Sequence, residues 1–309
     1  MKSDRLMKLP PQITVFERGW LSSNNILISG SESTALIDSG YSTHSTQTLA
    51  LVQHGLNGRS LDFLLNTHLH SDHCGGNARL QEQYPQLRTM IPPGLAQAVE
   101  VWDPLALTYT PTGQQCVSFT FSSLLQPQTR IQLGDLEWQI HAAPGHDTHS
   151  IILFEPESKT LISADALWEN GFGVVFPELE GEHAFQEVAD TLNLIESLQP
   201  DILIPGHGKI FDDAEAALAK ARSRLQSFVD QPLKHAKYAG KVLLKFKLLE
   251  QHRLFKQDLL TWALQTPYLQ TLHQTYFHTQ TIEVWFDELL QDLIRSGAAK
   301  HEGSFIADA

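Results

Sequence analysis

Cysteine, basic residues and long apolar runs are scarce in this sequence of 309 residues, and each scarcity excludes a class of protein. The two cysteines, Cys74 and Cys116, are too few for a disulfide framework and form no Cys-x-x-Cys motif. No stretch approaches the roughly 20 apolar residues of a membrane-spanning helix. The opening MKSDRLMKLPPQ has no apolar segment like that of a secretory signal. We therefore expect a cytoplasmic protein with no membrane partner.

The shortage of cations is confined to the first part of the chain. Residues 1–213 carry 10 Lys and Arg against 25 Asp and Glu, whereas residues 214–309 carry 12 against 10. Because phosphate binding requires clustered cations, we do not expect nucleic acid as a partner. We expect a small-molecule substrate instead. Between Lys234 and Lys247, lysines alternate with apolar residues, which favours a solvated amphipathic helix over a nucleic-acid surface. Such helices are also candidates for a homodimer contact.

Strand and helix patterns alternate through the first 213 residues. Apolar runs bounded by turn residues predict strands at 13–16, 25–28, 34–37, 61–65, 129–133, 137–142, 150–154, 160–163 and 202–204. Helical spacing predicts helices at 46–54, 76–83, 95–101 and 184–197. The interleaved order predicts an α/β domain over residues 1–213, and the apolar content of 42% is sufficient for its core.

Helical spacing dominates after residue 213. It predicts helices at 214–230, 240–250, 257–264 and 282–296, with Pro232 and Pro267 interrupting the region. The segment 297–308 contains Gly303 beside a short apolar run, which is typical of a β-hairpin. We therefore expect residues 214–309 to form a mostly helical domain of winged-helix-like shape.

Four potential metal ligands occur within six residues, in the motif His68-Leu69-His70-Ser71-Asp72-His73, directly after a predicted strand. Alternate residues of an extended segment point the same way, so His68 and His70 can converge on one ion. A turn at Ser71 would direct Asp72 and His73 toward a second ion. A solvated, histidine-rich loop is the alternative, but the preceding strand argues against it. Imidazole and carboxylate donors suit a cation such as zinc.

Three further potential ligands stand singly at predicted strand ends, each beside small residues that let the backbone approach an ion. They are His146 after Gly145, Asp165 after Ala164 and His207 after Gly206. His149, close to His146, is expected to have a structural role instead. Cys74 is expected to be a small, partly buried thiol rather than a ligand.

In their order and spacing these residues resemble the signature of the metallo-β-lactamase superfamily, HxHxDH followed by distant His, Asp and His. The resemblance covers roughly residues 12–211 and implies an αββα sandwich that holds two divalent metal ions, Zn²⁺ being expected and iron or manganese being alternatives. It implies that one ion is held by His68, His70 and His146, and the other by Asp72, His73 and His207. Asp165 would bridge the two ions.

Two positions refine this resemblance. Asp38, in the turn Leu36-Ile37-Asp38-Ser39-Gly40, resembles an aspartate with which family members support the site. Asp165 stands where the commonest zinc β-lactamases have cysteine, which argues against β-lactam hydrolysis and favours a likeness to glyoxalase II and lactonases. The basic C-terminal cluster with which glyoxalase II is expected to hold glutathione is not identifiable here.

The leading hypothesis is a metal-dependent hydrolase, in which a hydroxide bridging two ions attacks a small ester, thioester or lactone. Asp72 is the expected catalytic residue, which orients the hydroxide and passes its proton to the leaving group. The alternatives are a phosphodiesterase or ribonuclease, and a mononuclear iron oxygenase acting on a persulfide. The segment after Asp165 contains Trp168, Phe172, Phe176 and Pro177. These residues either form an apolar wall of the substrate cleft or pack under a long loop, and the sequence favours neither interpretation.

Overall fold

Residues 9–309 are described by the computed structural model, so residues 1–8, on which the expectation about a secretory signal partly rests, lie outside the described residues. In chain order the strands are β1 Ile13–Phe16, β2 Asn25–Ser29, β3 Thr34–Ile37, β4 Phe63–Leu65, β5 Arg88–Ile91, β6 Ser123–Leu124, β7 Arg130–Leu133, β8 Leu136–Ala142, β9 Ile151–Glu155, β10 Thr160–Ala164, β11 Ile202–Pro205, β12 Arg253–Phe255, β13 Ala299–Glu302 and β14 Phe305–Asp308. In chain order the helices are α1 Ser45–Leu56, α2 Ser71–Cys74, α3 Asn77–Gln83, α4 Ala96–Val101, α5 Tyr109–Thr112, α6 Phe176–Leu179, α7 Ala184–Leu198, α8 Ala214–Asp230, α9 Pro232–Gln251, α10 Lys256–Gln265, α11 Pro267–Tyr276 and α12 Ile282–Arg295. Over the described residues, none of these helices is long and apolar enough to cross a membrane.

The chain divides into two units. The first comprises the described residues up to Asp103 together with Cys116–Leu225, and the second comprises Pro104–Gln115 and Gln226–Ala309. The sequence-based boundary at residue 213 lies at the start of α8, whereas this division falls within that helix. The first part of α8 belongs to the first unit because its side chains contact residues of that unit. For example, Lys220 Nζ donates a 2.8 Å hydrogen bond to Asn170 Oδ1.

The first sheet of the first unit has the strand order β1-β2-β3-β4-β5-β6. Strands β1 to β3 pair antiparallel, and β3 to β6 pair parallel. Parallel neighbours require a crossover connection, which α1 provides between β3 and β4 and α3 provides between β4 and β5. The carboxyl ends of β3 and β4 therefore meet at one edge of the sheet, with Ile37 beside Leu65.

The second sheet has the order β11-β10-β9-β8-β7, and it is antiparallel except for the pair β10 and β11. That parallel pair is connected through α7, whose buried face includes Val188, Leu192 and Ile195. The Thr191 hydroxyl of the same helix donates a 2.9 Å hydrogen bond to the carbonyl of Pro144. This contact fixes α7 against the loop that connects β8 to β9.

The main core lies between the two sheets, and a second core lies under the helices. In β2 alternate side chains point to opposite faces, so Ile26 and Ile28 join Trp138 and Leu153 of the second sheet, while Leu27 packs with α1. The resulting order of helix, sheet, sheet and helix is the predicted αββα sandwich.

The second unit is mostly helical and contains a small three-stranded sheet, as the sequence predicts, and its winged-helix-like shape stays a prediction. The strands of its sheet, in the order β12-β14-β13, combine an edge strand with the C-terminal hairpin, and α10 to α12 lie between them in sequence. The prolines correct one expectation: Pro232 and Pro267 open α9 and α11, so the helix expected from Gly240 begins at Pro232. Proline suits a first helical turn because the N–H that it lacks would have no partner inside the helix there.

Truncating a buried valine in α1 tests the second core. Val52 is fully buried and Val101 is 69% exposed, and both lie in helices. Val52→Ala should lower the free energy of unfolding by about 2 kcal/mol, because it removes buried apolar surface and leaves a cavity. Val101→Ala should change it by less than about 0.5 kcal/mol. Urea denaturation measures both, and equal losses would contradict the packing described.

Candidate metal centre

Five polar residues lie next to the ends of strands that meet at one edge of the sandwich. Asp38 follows β3 and Asp165 follows β10, while His68 and His207 come shortly after β4 and β11, and His146 precedes β9. Both parallel pairs, β3 with β4 and β10 with β11, end at this edge, and β9 begins there because it runs antiparallel to β10. The strand directions therefore bring together side chains that are far apart in sequence.

Backbone hydrogen bonds tie the two sheets together at this edge. The Ile151 N–H donates to the carbonyl of Thr67 at 2.9 Å, which joins the start of β9 to the segment that carries His68. The Asn24 N–H donates to the carbonyl of Gly206 at 2.6 Å, and the Asn24 side chain donates to the carbonyls of Pro205 and Gly208. Asn24 thus holds the loop that presents His207, a role that the sequence analysis missed.

The clustered motif changes direction where the sequence predicts a turn. His70 has an extended backbone, with φ −63° and ψ 148°, and α2 begins at the next residue, Ser71. His68 and His70 consequently belong to the extended part, while Asp72 and His73 project from a helical turn. Backbone geometry therefore separates the four side chains into two pairs.

Three histidines converge on one point. His70 Nδ1 lies 3.1 Å from His68 Nε2 and 2.9 Å from His146 Nε2. The His146 ring is oriented from behind by its Nδ1, which donates a 2.5 Å hydrogen bond to the carbonyl of Val174. Its Nε2 consequently keeps its lone pair and points at the other two rings.

A second group forms beside the first. His207 Nε2 lies 3.1 Å from Asp72 Oδ2 and 3.8 Å from Asp165 Oδ2. His73 Nε2 lies 3.5 Å from Asp165 Oδ1, and His146 Nε2 lies 3.4 Å from Asp165 Oδ2. The two oxygens of Asp165 therefore face both groups. All seven predicted ligands are brought together, in three overlapping groups whose ligand atoms lie within 4.8 Å of one another: His68, His70 and His146; His68, His73 and Asp165; and Asp72, His73 and His207.

Asp38 supports the site as the sequence predicts. Its Oδ2 accepts a 2.7 Å hydrogen bond from His73 Nδ1, and its two oxygens accept from the backbone N–H and the hydroxyl of Thr67. This arrangement directs His73 Nε2 toward Asp165. A carboxylate that accepts from a ligand histidine fixes both the ring orientation and the tautomer.

Asparagines behind the motif are further supporting residues that sequence reasoning missed. The Asn66 side chain donates to the carbonyl of His73 at 3.1 Å, and Asn77 donates to Asn66 Oδ1 at 2.7 Å. Ser39 donates to Asn77 Oδ1, also at 2.7 Å. Because Asn66 precedes the motif by only two residues, its polar side chain at the end of an apolar strand was the available signal.

The backbone is strained beside Asp165, and glycines leave room for the site. Ala164 has φ +47°, a left-handed conformation that is uncommon for non-glycine residues. A Cβ atom on Gly206 would lie 2.1 Å from Asp165 Oδ1, and one on Gly173 would lie 2.3 Å from His146 Nδ1. Glycine is therefore required at both positions for these side chains to lie where they do.

The protonation states of two histidines in the first group, His68 and His146, suit metal ligation. Burial lowers the pKa of His68 well below its usual range, and the neighbouring His73, His70 and His146 lower it further. Burial also lowers the pKa of His146 to about 4, with His70 adding to the effect. Both rings are therefore neutral at pH 7, which leaves a lone pair free to bind an ion.

The carboxylates, in contrast, stay ionised and favour a cation. Burial would protonate Asp165, but His207 and His73 outweigh it and hold the pKa of Asp165 well below its usual range. Burial would also neutralise His73, but Asp38 and Asp165 outweigh it and raise the pKa of His73 well above its usual range. The pocket around His73 thus stabilises positive charge.

One nitrogen in the cluster provides a direct test of whether a metal ion fits. His73 Nε2 is buried and has no hydrogen-bond partner among the described residues. A buried polar atom without a partner costs about 1–3 kcal/mol. A divalent cation between His73 and Asp165 would give this nitrogen a partner, so the residues fit the metal that they are predicted to bind.

Aromatic rings surround the cluster. Trp20 stacks on the His207 ring at 5.4 Å and meets Trp168 edge to face at 5.2 Å. Phe176 lies 5.4 Å from the His70 ring. Of the aromatic segment after Asp165, Trp168 and Phe176 thus adjoin the cluster, whereas Phe172 and Pro177 are buried. Trp20, which the sequence analysis missed, is 54% exposed. Among the described residues, His149 belongs to none of the three ligand groups.

This fold and this cluster define the class of protein. Residues 18–207 match the sequence model of the Metallo-beta-lactamase superfamily. The match covers more than half of the chain, so the chain belongs to this superfamily, and the predicted family is confirmed.

Two individual relatives are each less than 30% identical to this chain. Hydroxyacylglutathione hydrolase of Brucella anthropi is 26% identical over 174 residues, which are 54% of this chain and 53% of that protein. A probable metallo-hydrolase of Methanocaldococcus jannaschii is 29% identical over 213 residues, which are 64% of this chain and 94% of that protein. The chain thus spans about half the length of the hydroxyacylglutathione hydrolases that it matches.

A solved structure supports the fold. A metallo-beta-lactamase family protein from Thermus thermophilus superposes with a TM-score of 0.60 at 15% identity, covering 98% of this chain and 100% of that chain. A likeness at this identity shows the fold alone, and it confirms the predicted fold class.

Substituting Gly206 tests the close approach to Asp165. Gly206→Ala should displace the Asp165 carboxylate and weaken zinc binding by about tenfold or more, which is the usual effect of disturbing a ligand's surroundings. Gly19→Ala is the matched control, since a Cβ atom there meets nothing within 4 Å. Competition with a chromophoric chelator measures the affinity, and circular dichroism verifies folding. A folded Gly206→Ala variant with unchanged zinc affinity would contradict the geometry.

Proposed function

We propose that this protein is a metal-dependent hydrolase with two divalent metal ions, Zn²⁺ in the first instance. His68, His70 and His146 would hold one ion, Asp72, His73 and His207 the other, and Asp165 would bridge them. The observation that carries this proposal is the convergence of the seven side chains into overlapping groups within 4.8 Å. Imidazole and carboxylate donors are those that zinc accepts in catalytic sites.

When bound, two divalent ions supply a hydroxide nucleophile at neutral pH and polarise the carbonyl under attack. The chain's own residues then orient the nucleophile and transfer its proton. Asp72, whose Oδ2 faces His207, is the proposed catalytic residue. Burial would raise its pKa, but the hydrogen bond from His207 and the charge of His73 outweigh this and lower the pKa of Asp72. An ionised Asp72 can orient the hydroxide, accept its proton and pass that proton to the leaving group.

Substrates of the proposed class are small esters, thioesters or lactones, among which we favour thioesters with an apolar acyl group. The name hydroxyacylglutathione hydrolase states a thioester substrate for the relative from Brucella anthropi. The exposed ring of Trp20 and the half-buried rings of Trp168 and Phe176 support an apolar acyl group, because aromatic rings beside a polar centre are typical of ligand pockets.

A small-molecule substrate also agrees with the charges of the second unit. Lys237 Nζ lies 2.8 Å from Asp292 Oδ2, and Lys247 Nζ lies 2.5 Å from Glu250 Oε2. Lys245 pairs with Asp308. Lysines paired with carboxylates of the same chain are poor phosphate ligands, so α9 offers little support for a nucleic-acid partner.

Metal analysis combined with a substrate panel tests the proposal. Protein purified without added metal should contain zinc, approaching two ions per chain after reconstitution. It should hydrolyse thioesters, esters or lactones in preference to phosphodiesters. One iron per chain with oxygen consumption on a persulfide, or cleavage of RNA alone, would overturn the proposal in favour of the corresponding alternative.

Removing the Asp72 carboxylate tests its catalytic role. Asp72→Ala should reduce kcat/KM by about 10²–10⁴-fold, the usual contribution of a general acid or base. Circular dichroism should show an intact fold. Asp258→Ala, at an exposed position in the first turn of α10, is the matched control and should retain full activity. Full activity of Asp72→Ala would refute the assignment.

Truncating the exposed tryptophan tests the apolar wall. Trp20→Ala should raise KM for a long-chain acyl thioester by about tenfold, because the acyl chain loses an aromatic surface worth on the order of 1.5 kcal/mol. KM for the corresponding acetyl thioester should stay nearly constant, since an acetyl group is too short to cover the ring. Equal changes for both substrates would exclude a role in acyl recognition.

A further inference from the structure

The only two cysteines of the sequence lie side by side in the structure. Cys74 Sγ lies 3.9 Å from Cys116 Sγ, although 42 residues separate them. Neither is in a disulfide, and the contact lies within the first unit. Any disulfide formed within one chain must therefore join these two residues.

The two thiols differ in accessibility, which gives them different roles in oxidation. Cys116 is partly exposed and belongs to the irregular segment between α5 and β6, whereas Cys74 is buried at the end of α2. An oxidant reaches the exposed sulfur first, and the buried sulfur is the neighbour that can resolve the product. A disulfide requires the sulfur atoms to approach to about 2.05 Å. Part of this movement can come from the irregular segment that carries Cys116, and the rest comes from Cys74 at the end of α2.

Cys74 also contacts the backbone of the motif that carries the proposed ligands. It directly follows His73, and its Sγ lies 3.3 Å from the carbonyl oxygen of His70 and 3.5 Å from that of Leu69. The same His70 carbonyl accepts hydrogen bonds from the N–H groups of His73 and Cys74. Drawing Cys74 Sγ toward Cys116 would pull on α2, from which Asp72 and His73 project.

We propose that Cys74 and Cys116 are a modification site, at which a peroxide converts the thiol pair to a reversible disulfide that loosens the metal centre. The Cys116 sulfur attacks a peroxide oxygen, so that an S–O bond forms, the O–O bond breaks and, with hydrogen peroxide, water leaves. The Cys74 sulfur then attacks the Cys116 sulfur, so that the S–S bond forms, the S–O bond breaks, and the hydroxyl leaves as a second water with the proton of the Cys74 thiol. Two thiols are thereby oxidised and one peroxide is reduced.

The disulfide itself does not depend on a metal, whereas its effect on the centre rests on the proposed function. The alternative to a modification site is that the two thiols at this distance only fill space in the packing of the unit. Packing alone predicts that the two cysteines respond to oxidant independently of each other, and the test is built on that difference.

Peptide mapping tests the disulfide. The full-length protein is treated with one equivalent of hydrogen peroxide and digested without reductant. We expect a cross-linked peptide containing Cys74 and Cys116, loss of both titratable thiols, and recovery of both with dithiothreitol. Cys116→Ser should keep its Cys74 thiol titratable under the same conditions. Retention of both thiols, separate oxidation to sulfinic acids, or a cross-link only between chains would overturn the proposal.

Zinc release tests the coupling to the metal centre. In a chelator competition, the oxidised protein should hold zinc about tenfold more weakly than the reduced protein, the scale on which supporting residues affect metal affinity. Dithiothreitol should restore the affinity, and peroxide should leave the affinity of Cys116→Ser unchanged. Equal affinities of the oxidised and reduced forms would overturn the coupling. The cross-link is detected without metal or substrate, so its absence and a failure of the proposed hydrolase are separate results.

Discussion

The burial of several carboxylates and imidazoles in one pocket is the constraint on which the rest of the structure depends. Asp38, Asp165, His68 and His73 are almost completely withdrawn from water. An unpaired charge in such a place costs several kcal/mol, so each must face a group of opposite charge or a hydrogen-bond partner. Asp38 accepts a 2.7 Å hydrogen bond from His73, and Thr67 in turn donates a hydrogen bond to Asp38. Among the described residues His73 Nε2 faces Asp165 at 3.5 Å but has no hydrogen-bond partner, and a cation between the two would provide one.

The two-sheet architecture holds these charged side chains together. The apolar core between the sheets fixes the strands, and strand direction then decides which side chains arrive at the shared edge. The bonds from Ile151 to Thr67 and from Asn24 to Gly206 join the two sheets where the polar groups meet. The pocket is therefore held by backbone hydrogen bonds from both sheets.

The surroundings of the pocket connect the chemistry to selection and regulation. On one side Trp20 and Trp168 contact His207, so the rings that would receive an apolar substrate also pack on a proposed ligand. On the other side Cys74 contacts the carbonyl of His70, so a change at the thiol pair is transmitted through α2. Both effects act through direct contact with residues of the site, over distances too short to require a larger conformational change.

The sequence by itself determined the family and most of the strands and helices. The motif from His68 to His73 carries this information locally, since extended and helical geometry follow from neighbouring residues, and α8 has the predicted bounds. Prediction failed where position depends on distant partners: β5 was not predicted, and Pro232 begins a helix instead of interrupting one. Only the tertiary structure decided that Asn24 holds the loop before His207, that Trp20 stacks on that ring, and that Cys74 meets Cys116. These contacts join residues far apart in sequence, and their closeness is a consequence of strand order and sheet packing, which no local pattern encodes.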